Sequence, residues 1–228
     1  MRQLPLGVRL QDRATFDSFL TGGNALALAL LREVAAGSAR RVLWLHGPPG
    51  VGKSHLLQAC CARRGSGGYF PVEALADIGP GVLDGAENLP LVCVDDLQRV
   101  AGDPAWEAVL FRLYLELEAR GGSLLLAAGS PPAALPWRLP DLASRLAAAT
   151  VLALQGLDEA QQREALRLRA QLRGLDLPED CALFLQRHFR RDMGSLQALL
   201  DVLDHASLAE QRRLTLPFLR ETLRDQAP

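Results

Sequence analysis

Residues Gly47-Pro-Pro-Gly-Val-Gly-Lys-Ser54 satisfy the pattern G-x-x-x-x-G-K-[ST] at each fixed position. That combination suits one chemical task, holding a run of phosphate groups. Gly47, Gly50 and Gly52 let the backbone come close to an anion. The intervening Pro48, Pro49 and Val51 complete a loop whose N–H groups, with the helix N-terminus that follows, offer partial positive charge. Lys53 then reaches the β- and γ-phosphates, and the Ser54 hydroxyl ligands Mg²⁺. The chain has 25 basic residues, of which Lys53 is the sole lysine. The compact ammonium thus falls where a point charge serves a phosphate better than a planar guanidinium.

A site of this kind needs an acidic residue at the end of a neighbouring strand, and Leu91-Val-Cys-Val-Asp95-Asp96 provides it. Asp95 is expected to hold Mg²⁺ through water, and Asp96 to orient or deprotonate an attacking water. The expected ligands are ADP or ATP with Mg²⁺.

The elements that must position these groups can be read from periodicity. Apolar runs of strand length occur at Val42–His46, Leu91–Val94, Leu124–Ala128 and Val151–Leu154, with a shorter strand at Tyr69–Val72. Helical spacing covers about Lys53–Arg64 and Trp106–Ala119. Strands separated by helices predict an α/β fold with a parallel sheet flanked by helices. After about Gln155 only helical patterns remain: Glu159–Leu172 capped by Asp158, Glu179–Phe189, Met193–Ala209 opened by Asp192, and a last helix capped by Thr215. This predicts a small all-α domain after the sheet.

Composition excludes several classes. With 49% apolar and 22% charged residues, the 228-residue chain reads as an ordinary globular protein. Basic and acidic residues number 25 and 26, so no global field draws it to nucleic acid or anionic lipid, although a local basic patch stays open. The apolar runs fall short of the ~20 residues that span a bilayer, and MRQLPLGVRLQDR lacks the core of a signal peptide. No membrane association and a cytoplasmic location are expected. Cys60, Cys61, Cys93 and Cys181 form no C-x-x-C, and the four histidines show no metal spacing, so buried thiols are expected rather than disulfides or zinc.

Further stretches carry a resemblance. Together with Gly47–Ser54 and Leu91–Asp96, the segments Ala128-Gly-Ser-Pro-Pro132, Leu139-Pro-Asp-Leu-Ala-Ser-Arg145-Leu, Leu177-Pro-Glu-Asp180 and Leu214-Thr-Leu-Pro-Phe218 resemble AAA+ proteins of the bacterial initiator DnaA group, in particular its short members that regulate initiation. The likeness runs over essentially the whole chain. It implies a clamp-binding segment over residues 1–11, a P-loop AAA+ base domain over 12–155 and a helical lid over 156–228. Gln3-Leu4-Pro5-Leu6 is similar to the peptide that holds such proteins on the DNA-loaded sliding clamp, the DNA polymerase III beta subunit. Leu4, Leu6 and Val8 would fill an apolar pocket while Gln3 supplies hydrogen bonds.

The resemblance also implies roles within the base and lid. Arg145 corresponds to an arginine finger acting on the nucleotide of a neighbouring AAA+ subunit; by residue type alone it is a surface arginine ending a short helix that Asp141 caps. Ser130 corresponds to a first sensor bonding the γ-phosphate or the attacking water; by type alone it is a polar turn residue. The lid arginine of the group is replaced by Gly194, with Arg190 or Arg191 close enough along the helix to stand in. The function implied is negative regulation of chromosome replication initiation: stimulating hydrolysis of ATP on the DnaA initiator, with weak or no hydrolysis by the protein itself. The resemblance leaves a monomer, a homodimer and a higher oligomer open, and no strong sequence-specific DNA binding is expected. The alternative is an autonomous AAA+ ATPase of helicase-loader type.

Overall fold

The computed structural model describes residues 14–189 and 193–224. The chain begins with α1 (Ala25–Ala36) and continues through β1 (Val42–His46), α2 (Lys53–Arg64), β2 (Gly67–Pro71) and a one-turn helix α3 (Val72–Leu75). It then forms β3 (Leu91–Asp95), α4 (Pro104–Arg120), β4 (Ser123–Ala128), α5 (Pro140–Ala147) and β5 (Thr150–Ala153). The remainder is helical: α6 (Glu159–Leu172), α7 (Glu179–His188), α8 (Met193–Glu210) and α9 (Leu216–Thr222).

The five strands form one parallel sheet in the order β2-β3-β4-β1-β5. The expected α/β class is therefore observed. Alternation along each strand divides the sheet's side chains between two cores. Leu43, Leu45, Leu91, Cys93, Leu125 and Ala127 face α1 and α2. Trp44, Val92, Val94, Leu124, Leu126 and Ala128 face α4 and α5. Both faces are covered, so β3 and β4 are buried along their whole length and read as unbroken apolar runs.

One expectation about the sheet needs correction. The acidic strand β3 is not hydrogen-bonded to β1, because β4 lies between them. The chain runs outward from β1 to β2, returns through β3 and β4, and then crosses β1 to reach β5. The direction of winding reverses beside β1, which opens a crevice at the carboxyl ends of the strands.

Local signals start and stop the helices. Asp103 accepts from the N–H groups of Ala105 and Trp106 ahead of Pro104 in α4. Asp158 and Gln161 form a reciprocal capping box on α6, and Thr215 accepts from Phe218 N–H at α9. Asp141 does not cap α5: Leu139 is the N-cap residue, Pro140 occupies the first helical position, and Asp141 stands in the first turn. Helices α6–α9 enclose a separate apolar core that includes Leu166, Leu185, Leu200 and Phe218. No helix among the described residues is long and apolar enough to cross a membrane.

Candidate functional site: a phosphate-binding cleft

The loop from Gly47 to Gly52 joins β1 to α2 at the carboxyl edge of the sheet. Its glycines are required by contact as well as conformation. Gly47 has φ 151°, and a Cβ there would sit 2.8 Å from the Leu154 carbonyl oxygen; Gly52 has φ 104°, and a Cβ would sit 2.6 Å from the Phe19 ring. The first-turn N–H groups of α2, from Lys53, Ser54 and His55, have no acceptor within the described chain. Lys53 is buried and folds back on its loop, donating to Gly47 O at 2.8 Å and Pro48 O at 3.1 Å. Burial lowers its ammonium from the ordinary value, against the opposing pull of Asp95 and Asp96.

Asp95 ends β3 and is fully buried. Its Oδ2 accepts from the Tyr69 hydroxyl at 2.8 Å, and its Oδ1 from Asp96 N–H at 2.9 Å. The Ser54 hydroxyl stands near enough to this carboxylate to favour its charged form. Burial raises the Asp95 carboxyl above the usual range, with the Ser54 and Tyr69 hydroxyls opposing. Asp96 adopts a left-handed conformation at φ 59°, which turns the chain sharply after the strand. Gln98 donates to Asp96 Oδ1 at 3.1 Å and accepts from Gly129 N–H at 3.2 Å, linking the ends of β3 and β4.

These groups open onto a cleft of about 880 Å³ between the sheet and the helical domain. Pro48 to Ser54 and Asp96 line one wall. The opposite wall includes Arg169 and Arg173 of α6 with Gly194, Gln197 and Asp201 of α8. Arg173 pairs with Asp201 Oδ1 at 2.5 Å, yet its second terminal nitrogen is buried without a partner. Arg169 donates to His55 Nδ1 at 3.0 Å, and burial lowers its guanidinium to about 10. Because arginine only donates, His55 Nδ1 accepts, and its Nε2–H donates to Thr15 O at 2.8 Å. Burial and the Arg169 charge hold His55 down at about 4. The connection into α6 is fixed by Asn24, which exchanges two hydrogen bonds with the Gln155 backbone at 2.9 and 2.8 Å.

The structure thus gathers Gly47–Ser54, Asp95 and Asp96 in one place, and Gly194 lines the facing wall. Ser130 follows β4, where its carbonyl accepts from Trp44 Nε1 at 3.0 Å, and it does not line the cleft. Arg145 also stands away from the cleft, on α5, bonded to Glu118 Oε2 at 2.8 Å with its guanidinium 5.4 Å from the Tyr114 ring centroid. Helix α5 is held by Glu107 of α4, a fully buried carboxylate accepting from the N–H groups of Gly102, Arg138 and Leu139. Gln3, Leu4, Leu6, Val8, Arg190, Arg191 and Asp192 lie outside the described residues.

Four residues near the cleft were not singled out by the sequence. Tyr69 and His55 lie on elements whose pattern announces burial alone. Arg169 and Arg173 sit among many arginines, and nothing in their spacing selects them. His55, directly after Ser54, carried the nearest thing to a signal.

Backbone donors at a helix start, a buried ammonium, and a hydroxyl paired with a carboxylate make a donor set that fits a polyphosphate with a divalent cation. Fold and cleft together define a P-loop module of the AAA+ class with a helical lid. The family model described as "Hda, lid domain" matches residues 158–223, and that for the bacterial DnaA ATPase domain matches residues 10–65. Domain III of Thermotoga maritima DnaA superposes with a TM-score of 0.78 at 23% identity, covering 93% of this chain and 96% of that one. AMPPCP-bound DnaA from Aquifex aeolicus gives 0.70 at 21% identity, covering 96% and 72%. The Thermotoga maritima RuvB branch migration motor gives 0.67 at 18%, covering 95% and 73%. The chain has the fold of these AAA+ proteins and is similar to Hda over the helices that follow the sheet and to DnaA over the segment that carries the phosphate loop.

Proposed function

We propose that this protein binds ADP or ATP with Mg²⁺ in the cleft and acts as a negative regulator of replication initiation, supplying Arg145 to the ATP of a neighbouring DnaA. The segment Gln3, Leu4, Leu6 and Val8 holds it on the DNA-loaded sliding clamp. There it meets DnaA, and the hydrolysis it promotes converts the initiator to its ADP form. Ser54 and Asp95 hold the metal, Asp96 orients water, and Ser130 responds to the γ-phosphate. Such a metal supplies charge neutralisation on the phosphates.

The observation that carries this reading is the position of Arg145. Its guanidinium stands off the chain's own cleft, on the surface of α5, in a half-exposed pair with Glu118. A pair of that kind is worth about 0–1 kcal/mol, so a phosphate on another subunit can draw the guanidinium away at little cost. Once there, the planar fork neutralises charge growing on the γ-phosphoryl oxygens, an effect worth about 10³–10⁵-fold where such fingers act in trans. Gly194 stands on the lid wall where the resemblance calls for an arginine, which favours weak turnover in cis, while the cations that line this wall are Arg169 and Arg173 of α6.

The test follows conversion of DnaA-bound ATP to ADP on clamp-loaded DNA, with wild type, Arg145→Ala and a chain lacking residues 3–6. Stimulation by wild type alone is expected. Equal stimulation by Arg145→Ala refutes the finger, and steady turnover by the isolated protein without stimulation of DnaA favours the autonomous ATPase.

A further inference from the structure

A second cavity lies at the opposite end of the sheet. It measures about 340 Å³ and is lined by residues that precede the strands, among them Arg40, Arg64, Arg120, Glu87 and Ser123. Strands β1 and β3 are five residues long, so this amino edge is about 17 Å from the P-loop. Helices α1, α2 and α4 all end here, at Gly37, Gly65 and Gly121.

Arginines beside helix C-termini ordinarily serve as caps, bonding the last carbonyls. Here that work is done by the backbone. Gly37 N–H bonds Val34 O and Ser38 N–H bonds Glu33 O; Gly65 N–H bonds Cys61 O; Gly121 and Gly122 bond Glu118 O and Leu117 O. Arg120 is engaged with Glu116 and Asn88, and Arg41, next to Arg40, pairs with Glu33. The guanidiniums of Arg40 and Arg64 make no hydrogen bond or ion pair among the described residues. Their guanidiniums are nonetheless seated: Arg64 lies in the space that Gly37 leaves free, and Arg40 in that left by Gly121. Glu87, the acid on the cavity wall, accepts from Asn88.

Two positioned guanidiniums with open donors, facing one cavity, form a recognition site for a phosphate group. We propose that this cavity binds phosphate, and that its source is the backbone of a nucleic acid passing the amino edge of the sheet. An open cavity with exposed Arg63 beside Arg64 suits a chain of phosphates better than one enclosed anion. Binding is sequence-independent and weak, with Kd of roughly 10⁻⁴–10⁻⁶ M, because phosphate contacts alone supply it. The proposal is independent of the nucleotide cleft and of Arg145.

The test is fluorescence anisotropy of a labelled DNA duplex with the full chain, titrated across salt concentrations. Wild type should show a slope of log affinity on log salt of about −2, from two phosphate contacts. Arg40→Gln with Arg64→Gln should remove about one unit of slope per contact. A control with the same net charge, Arg112→Gln with Arg167→Gln, should behave as wild type. Equal binding by wild type and the Arg40/Arg64 variant overturns the proposal, as does an equal loss in the control. In parallel, arginine Nε–H resonances are followed as inorganic pyrophosphate is added. If Arg40 and Arg64 shift but wild type ignores DNA, the phosphate chemistry stands and the nucleic-acid source falls. If neither ligand is felt, the site is refuted.

Discussion

Glu107 offers the sharpest test of how the fold positions Arg145. Its carboxylate is fully buried on α4 and receives Gly102 N–H at 2.7 Å, Arg138 N–H at 2.9 Å and Leu139 N–H at 2.6 Å. The last two donors lie immediately before α5, so this one side chain ties the start of the arginine-bearing helix to α4. Glu107→Ala removes a buried carboxylate and leaves three N–H groups without their acceptor, and should cost roughly 3–5 kcal/mol, the range for removing one partner of a buried charged arrangement. Glu107→Gln is the finer probe. It keeps one carbonyl oxygen but points an NH₂ group at an N–H donor, losing one charge-assisted bond worth about 1.5–3 kcal/mol. The readout is built in. Trp44 and Trp106 are buried in the core beside Glu107, and Trp137 packs on that core next to Arg138. The chain has three tryptophans, so their fluorescence reports unfolding of the sheet domain rather than of the lid. With a urea m-value of about 1–3 kcal/mol/M, Glu107→Gln should lower the midpoint by about 1 M. It should also weaken stimulation of DnaA while leaving nucleotide binding intact. A stability within 0.5 kcal/mol of wild type, roughly the scatter of neutral surface changes, would refute the claim that this carboxylate anchors α5.

Three further outcomes follow from the cleft. His55 is packed between Arg169, Thr15 O, Ser18 and the Phe19 ring, and titrates at about 4 instead of 6.5. Its folded value is depressed, so the unfolded chain binds more protons between these limits; its contribution is fully present above pH 6.5 and is lost as pH falls to 4, by about 3 kcal/mol. His55→Asn should flatten that part of the stability profile, and an unchanged wild-type-like slope in the variant would count against the buried neutral imidazole. Tyr69→Phe removes the donor to Asp95 Oδ2 and should raise the Mg²⁺ concentration needed for half-maximal nucleotide binding, with affinity in EDTA unchanged; equal loss in both conditions would mean a general packing defect. Arg173→Ala deletes a cleft-lining guanidinium with one unpartnered nitrogen and should weaken nucleotide binding about tenfold, the worth of one charge-assisted bond; calorimetry showing unchanged affinity would exclude it from the site.

What could be read from the sequence shares a physical character. The loop 47–54, the strands and the capped helices are written in neighbouring residues: glycine spacing, unbroken apolar runs, Asp158 with Gln161. Strand and helix bounds depend on such local signals and agree closely with the structure, apart from β2, which is offset by one or two residues. What escaped notice depends on contacts distant in sequence. The helix α1, ALALALLREVAA, has no capping side chain on Asn24 and a broadly apolar face, so it offered no boundary. The same Asn24 is committed across 131 residues to Gln155, which a linear reading cannot see. Glu107 looked like an ordinary acidic residue in a first turn. Its function comes from the segment 138–139 folding back over α4. The placement of β4 between β1 and β3 is likewise a property of the winding rather than of any one strand.

These long-range contacts converge on the connection between the two domains. Asn24 imitates a backbone neighbour for Gln155, so the strap entering α6 leaves the sheet in a fixed direction. From α6, Arg169 returns to His55, the residue directly after Ser54, and His55 reaches on to Thr15. The first turn of α2 is therefore bonded at once to the lid and to the segment leading into α1. A ligand that draws Lys53 off the carbonyls of Gly47 and Pro48 acts on that same turn. Because the imidazole donates through one nitrogen and accepts through the other, a shift in α2 cannot keep both bonds unless Arg169 and Thr15 move with it. One imidazole thus bonds the helix that follows the phosphate loop to α6 on one side and to Thr15 on the other.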